Sequence, residues 1–225
     1  MAAQDFIYAC GQAGVNIEGA IKILKEGKVT VNGRGESGET ALHTACQYGR
    51  LKVAKWLVVD CKADLTLADF RIQTPLHWAC QFDQLETVKW LVKECKMNPN
   101  QPDWVGITPL HMASAHGYVE IVRWLVTEGA ANPNLPNRYG DTSLTMACDR
   151  GHLAAAKLLL TKVKYLRLIN DEGYSPFHCA CKRGHLELVK WMVNECKVKP
   201  RLKDDTHPKV VEWLANETRD LPNLE

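Results

Sequence analysis

From Thr40 onward, apolar and polar positions recur as one phrase. TALHTACQYGRLKVAKWL is followed by TPLHWACQFDQLETVKWL, TPLHMASAHGYVEIVRWL, TSLTMACDRGHLAAAKLL and SPFHCACKRGHLELVKWM. The leading residues Thr40, Thr74, Thr108, Thr142 and Ser175 stand 34, 34, 34 and 33 positions apart. Such a period marks a repeat array, in which each unit buries its apolar face against its neighbours.

Each phrase predicts two helices and a loop. The Thr or Ser is an N-cap, its hydroxyl accepting from an early helical N–H. Proline suits the first helical position, where its missing N–H costs nothing. A short helix follows and ends at Gly49, Gly117, Gly151 or Gly184, residues able to take a positive φ. The second helix carries apolar residues at helical spacing, Val53, Trp56 and Leu57 in one copy and Val88, Trp90 and Leu91 in the next. Turn signals such as NPNQPDWVG and NPNLPNRYG separate the copies.

With TPLH-x-A and a downstream glycine in register, the chain resembles the ankyrin-repeat family over nearly its whole length. The resemblance implies an all-α repeat solenoid of stacked antiparallel helix pairs, with short β-hairpin-like loops projecting from one edge. One domain is expected over 1–225. It comprises an N-terminal capping repeat over 1–34, five internal repeats over 35–202 and a truncated closing helix over 203–225. Gly14 is the expected break between the two helices of the first, degenerate repeat. Near 203–208 about 12 residues of a first helix are missing against the earlier copies, through a deletion or a disordered stretch absent from the sequence. The closing helix, with Trp213, then has to cover the last repeat alone.

Composition narrows the function classes. Apolar residues make up 46% of the 225, enough for a buried core. Lys plus Arg is 28 against 26 Asp plus Glu, a balance that disfavours a dedicated nucleic-acid or anionic-membrane binder. The start, MAAQDFIYACGQAGVNIEGA, is broken at Asp5, Gly11 and Gly14, and fits neither a signal peptide nor a membrane span. Nine cysteines without a secretion signal are expected to be reduced thiols, in the cytoplasm or the nucleus.

His43, His77, His111 and His178 stand three positions before Cys46, Cys80, Ser114 and Cys181, a spacing that invites a metal or thiol–imidazole reading. Packed helices lie roughly 8–10 Å apart, whereas zinc ligands converge to about 2 Å from the metal. A ladder of one histidine per unit does not converge that tightly. For these rings the resemblance implies a structural role, bonding the cap threonine and neighbouring backbone. No Walker loop, HExxH, G-x-S-x-G or dinucleotide fingerprint occurs. Neither catalysis nor a cofactor is expected. A metal- or thiol-dependent activity stays as the least favoured alternative. The tryptophans Trp56, Trp90, Trp124 and Trp191 are expected in the core, with Lys55, Lys89, Arg123, Lys157 and Lys190 on the solvated back of the second helices.

Recognition belongs where the period demands nothing. The resemblance implies that partners meet the hairpin tips and the first-helix face. The tips are Glu36–Ser37, Phe70–Arg71, Trp104–Val105, Arg138–Tyr139 and Asp171–Glu172. Turn tips favour Asp, Asn, Gly or Ser, yet three successive tips carry Phe70, Trp104 and Tyr139. Tyr48, Phe82 and His116 extend the surface inside the groove, and Arg71, Arg138 and Arg150 offer positive charge. The expected partner is a protein or peptide with apolar anchors and some acidic residues, bound by a monomer. Two other readings stay open. The rings could pack on neighbouring fingers and only stiffen them, or the apolar loop 163–169 could drive self-association.

Three departures from the pattern stand out. Asp83 replaces a helix-ending glycine. The copy starting at Thr142 has Ser143 for proline and Thr145 for histidine. Its following loop reads KVKYLRLIN.

Overall fold

The computed structural model describes residues 2–11, 17–26, 29–162, 169–200 and 202–217. Gly14, the loop 163–168 and residues 218–225 lie outside them, so the expectations placed there stay expectations. Ile169, at the edge of that loop, is exposed.

Thirteen helices and no strand occur among the described residues. They are α1 (Ala2–Gly11), α2 (Ile17–Lys25), α3 (Ala41–Gln47), α4 (Leu51–Val59), α5 (Pro75–Gln81), α6 (Leu85–Lys93), α7 (Pro109–His116), α8 (Val119–Thr127), α9 (Ser143–Asp149), α10 (Leu153–Leu160), α11 (Pro176–Arg183), α12 (Leu186–Asn194) and α13 (Pro208–Glu217). The first helices α1, α3, α5, α7, α9 and α11 form one row, each packed on the next, and each second helix packs on its own partner. The architecture is an all-α repeat solenoid. Among the described residues its loops hold turns and no strand.

Small side chains let the first helices approach. Ala45 and Cys46, Ala79 and Cys80, Ala147 and Cys148, and Ala180 and Cys181 are all buried. Leu42, Leu76, Leu110, Leu144 and Phe177 recur one layer away, and Leu57, Leu91, Leu125, Leu159 and Met192 line the second helices. Trp90 and Trp124 are buried, while Trp56, Trp191 and Trp213 are half-buried against the same core. Lys89, Arg123 and Lys190 pair with Glu86, Glu120 and Glu187 one turn earlier on the solvated back.

The histidines tie unit to unit. The Thr40 N–H donates to His43 Nδ1 at 3.2 Å. A backbone N–H can only donate, so Nδ1 is the acceptor and the ring proton sits on Nε2. From there it reaches the Gln73 carbonyl of the next unit at 3.0 Å. His77 repeats this with Thr74 and Ile107, and His111 with Thr108 and Asp141. An imidazole thus closes a capping box that elsewhere takes Glu or Gln. Both nitrogens of these three rings are engaged in hydrogen bonds.

The helix-ending glycines serve the same stacking. Gly117 has φ 75°, and a Cβ there would run into the His152 ring of the next unit. Asp83 takes φ 58° at the corresponding place, a conformation that a short polar side chain tolerates.

At the C-terminal end, His207 lies over Gly184 as His152 and His185 lie over Gly117 and Gly151. That puts α13 in the second-helix row. Among the described residues no first helix precedes it. Residues 202–207 take that place along α11, with the His207 N–H donating to the Cys181 carbonyl and Lys182 paired with Asp205 at 3.1 Å. The closing helix buries Val210 and Leu214, while Trp213 covers the core only in part.

Two outcomes follow. Leu214→Ala should cost about 2–5 kcal/mol, typical of an emptied core leucine site. It should lower hydrogen-exchange protection over Leu186–Val193 before α5 is affected, because terminal units open first; unchanged protection there contradicts the fold at this end. Burial holds His43 and His111 well below the ordinary histidine range, at about 4. The unfolded rings take up a proton below about 6.5 and the folded rings only near 4. Stability is therefore full above pH 6.5 and lost as pH falls toward 4. Denaturant unfolding should show about 2 kcal/mol lost per ring between pH 7 and pH 5, with a shallower slope in His111→Gln. A flat profile contradicts it.

Candidate functional site

The loops between units are fingers built on one acidic or amide side chain each. Asp69 Oδ1 accepts from the N–H groups of Arg71 and Gln73, both at 2.8 Å. Asp103 accepts from Val105 and Ile107, and Asn137 from Tyr139 and Asp141. Asn170 accepts from Tyr174, and in the first finger the Glu39 carboxylate accepts from Ser37. These anchors recur as Asp or Asn at 69, 103, 137 and 170. That column was visible in the sequence, hidden only by the usual reading of such residues as solvated turn formers.

Neighbouring fingers are joined through backbone. The N–H groups of Phe70, Trp104, Arg138 and Asp171 donate to the carbonyls of Ser37, Arg71, Val105 and Tyr139, at 2.9 to 3.0 Å. Two lines of side chains result. Phe70, Trp104, Arg138 and Asp171 share one, and Arg71, Val105, Tyr139 and Glu172 the other. Tyr139 therefore does not continue the line of Phe70 and Trp104; it stands beside it.

The three rings face water. Phe70 is 70% exposed, Trp104 51% and Tyr139 59%. Phe70 leans against Gly38 of the preceding finger, so part of the ring does stiffen the row. Ile72 sits beside them at φ 60° and 51% exposed. The same place in other fingers is Gly38, Gly106, Gly140 and Gly173, at φ 76° to 84°. A β-branched residue in left-handed backbone is strained, and sequence reading by period passed over it.

Below the fingers, Tyr48 and Phe82 are exposed on the groove side of their first helices. Phe82 tilts against Trp78 with ring centres 6.5 Å apart, and Trp78 Nε1 donates to Asp69 Oδ2 at 3.1 Å. Trp78 belongs to the residue column that follows the histidine: Thr44, Trp78, Met112, Met146 and Cys179. Trp78, Met112 and Met146 are half-buried, and Thr44 and Cys179 are buried. The column was missed as part of the motif, although its identity changes from copy to copy. His116 is exposed but stacks on Tyr118 and donates through Nδ1 to the Met112 carbonyl of its own helix. Arg71 and Arg138 are exposed and make no ion pair among the described residues. Arg150 faces Asp149 at 3.8 Å. The structure thus brings Phe70, Arg71, Trp104, Arg138 and Tyr139 onto one finger edge, with Tyr48, Phe82, His116 and Arg150 set below it.

The thiols are poorly placed for nucleophilic work. Cys46, Cys80, Cys148 and Cys181 are buried on the stacking faces. Burial pushes Cys10, Cys179 and Cys181 up to about 12 and Cys95 to about 11, which suppresses the thiolate that such chemistry needs. Among the described residues no three His, Cys, Asp or Glu side chains converge on a metal position. No described helix is long and apolar enough to cross a membrane.

Comparison with known families agrees with the geometry. A family model described as "Ankyrin repeats (3 copies)" matches residues 59–137 and 128–204, and one described as "Ankyrin repeats (many copies)" matches 23–79. No curated protein matches the chain. The family matches together cover residues 23 to 204, and the stacked helix pairs and histidine bridges agree with them: the chain belongs to the ankyrin-repeat family.

Proposed function

We propose that this chain is a non-catalytic interaction module, binding a protein or peptide along the finger edge and the groove beneath it. Ankyrin repeats are in general protein-interaction modules. The observation that carries the finer reading is the solvent exposure of Phe70, Ile72, Trp104 and Tyr139 on fingers whose backbones are already joined. Burying such a side chain is worth about 1.5–3 kcal/mol, which a partner gains at little ordering cost on a preformed surface. Arg71 and Arg138 flank these residues and suit carboxylates on the partner. The partner is therefore apolar at its anchors and acidic beside them. The binding unit is a monomer, in the cytoplasm or the nucleus.

The test compares wild type with the double variant Phe70→Ala, Trp104→Ala. Both side chains are exposed, so melting should stay within a few degrees. Quantitative capture from native lysate should fall by about tenfold or more, as for interface hot spots. Equal capture moves the site elsewhere. Ile72→Gly separates binding from folding: relief of left-handed strain should raise stability by about 1 kcal/mol while capture weakens. A variant that loses stability, or captures as well as wild type, removes Ile72 from the surface.

A further inference from the structure

Of the four junctions between successive internal units, one differs from the other three. Thr145 stands where His43, His77 and His111 stand in their units. It closes its own capping box, bonding Thr142 through N–H and hydroxyl. Its hydroxyl reaches no further. At the other three junctions the imidazole crosses to the residue before the next N-cap, a place held here by Tyr174. A half-open cavity of about 360 Å³ lies between these two units, with Thr145 and Tyr174 both on its wall.

The lining has a definite chemistry. Tyr139 and Met146 supply aromatic and apolar surface. Asp141 reaches in from the finger, with Asp171 and Glu172 in the wall of the next finger. The helix side brings cations, but these are engaged. Arg183 binds Asp149 at 2.8 Å, Arg150 faces the same carboxylate at 3.8 Å, and Lys182 binds Asp205 at 3.1 Å. Tyr174 is occupied as well: Lys182 and Lys203 lie over its ring, and its hydroxyl donates to Asp205. On the finger side the balance is the reverse. Asp141 accepts from Asn170 Nδ2 at 2.8 Å and meets no cation within 4 Å, and Asp171 and Glu172 make no ion pair among the described residues. Burial raises the Asp141 carboxyl above its ordinary range, the mark of an anion short of solvation.

We infer that this cavity is a specificity pocket for an arginine side chain of the bound partner. The guanidinium meets Asp141 and the Asp171–Glu172 edge, stacks on the open Tyr139 ring, and lays its methylene stem against Met146. A planar cation with several donors fits a carboxylate beside an aromatic ring better than a compact ammonium does. The inference rests on the groove being the partner surface. It adds a direction to that surface: acidic partner residues toward Arg71 and Arg138, an arginine toward the fourth and fifth units.

The test titrates the isotope-labelled full chain with N-acetyl-arginine N′-methylamide, its neutral citrulline isostere and the glutamate analogue, read by amide chemical shifts. Saturable shifts are expected at Tyr139, Asp141, Thr145 and Tyr174. Arginine should bind about tenfold more tightly than citrulline, the scale of one charge-assisted hydrogen bond, and glutamate should give no saturable shift. Asp141→Asn should bring arginine down to the citrulline level. Thr145→His should restore the bridge to the Tyr174 carbonyl and keep or raise the melting temperature; the Asp141→Asn and citrulline arms decide the pocket. Arginine and citrulline binding equally, a preference for glutamate, or arginine shifts unchanged in Asp141→Asn each overturn the pocket. The Phe70→Ala, Trp104→Ala variant should keep the arginine shifts. Capture that still depends on those rings, beside a silent arginine titration, overturns the pocket and leaves the groove reading standing.

Discussion

The structure depends on one buried bridge, from the N-cap backbone through an imidazole to the carbonyl before the next N-cap. His43, His77 and His111 each make it. The ring satisfies a helix-end donor that would otherwise be buried unpaired, and it anchors the carbonyl at the base of the next finger. Helix start, finger base and unit spacing are thereby set by the same side chain. The Asp and Asn anchors and the finger-to-finger backbone bonds build outward from that base.

A scaffold so fully bonded leaves little freedom at the finger ends, and that bears on function. The backbone under Phe70, Trp104, Arg138 and Asp171 is held by the preceding finger. Side chains there are presented and not tucked away. Exposed aromatic rings and a strained Ile72 are unfavourable for folding taken alone. They sit where the scaffold bears the cost most easily, because the anchors fix the turn whichever side chain projects from it.

The same dependence explains the junction at Thr145. With the imidazole replaced, unit spacing is kept by other means: the Asn170 side chain bonds Asp141, and the fingers stay joined through the Asp171 N–H. The stack tolerates the loss, and a cavity lies beside Thr145. Ser143, standing for proline in the same unit, buries a hydroxyl without a partner. These departures cost stability in a chain otherwise built to a repeating pattern, and they coincide with a cavity that Asp141, Asp171 and Glu172 help to line.

Much of the molecule was legible beforehand. Period, cap residues, glycine stops and small-residue columns determined the helix pairs, their order and the stacking core, because each is a local requirement of one turn or one helix face. The exposed rings Phe70, Trp104 and Tyr139 were legible too, as large apolar residues in columns that favour polar ones. Only the tertiary structure decided that Tyr139 lies on the second line of side chains, that Trp78 bonds the Asp69 anchor, that Ile72 occupies left-handed backbone, that Leu214 rather than Trp213 seals the end, and that a cavity opens beside Thr145. Those features arise from residues about thirty positions apart meeting in space. A pattern read along one chain records what each residue needs from its own turn, while neighbours across the stack decide what space and charge remain.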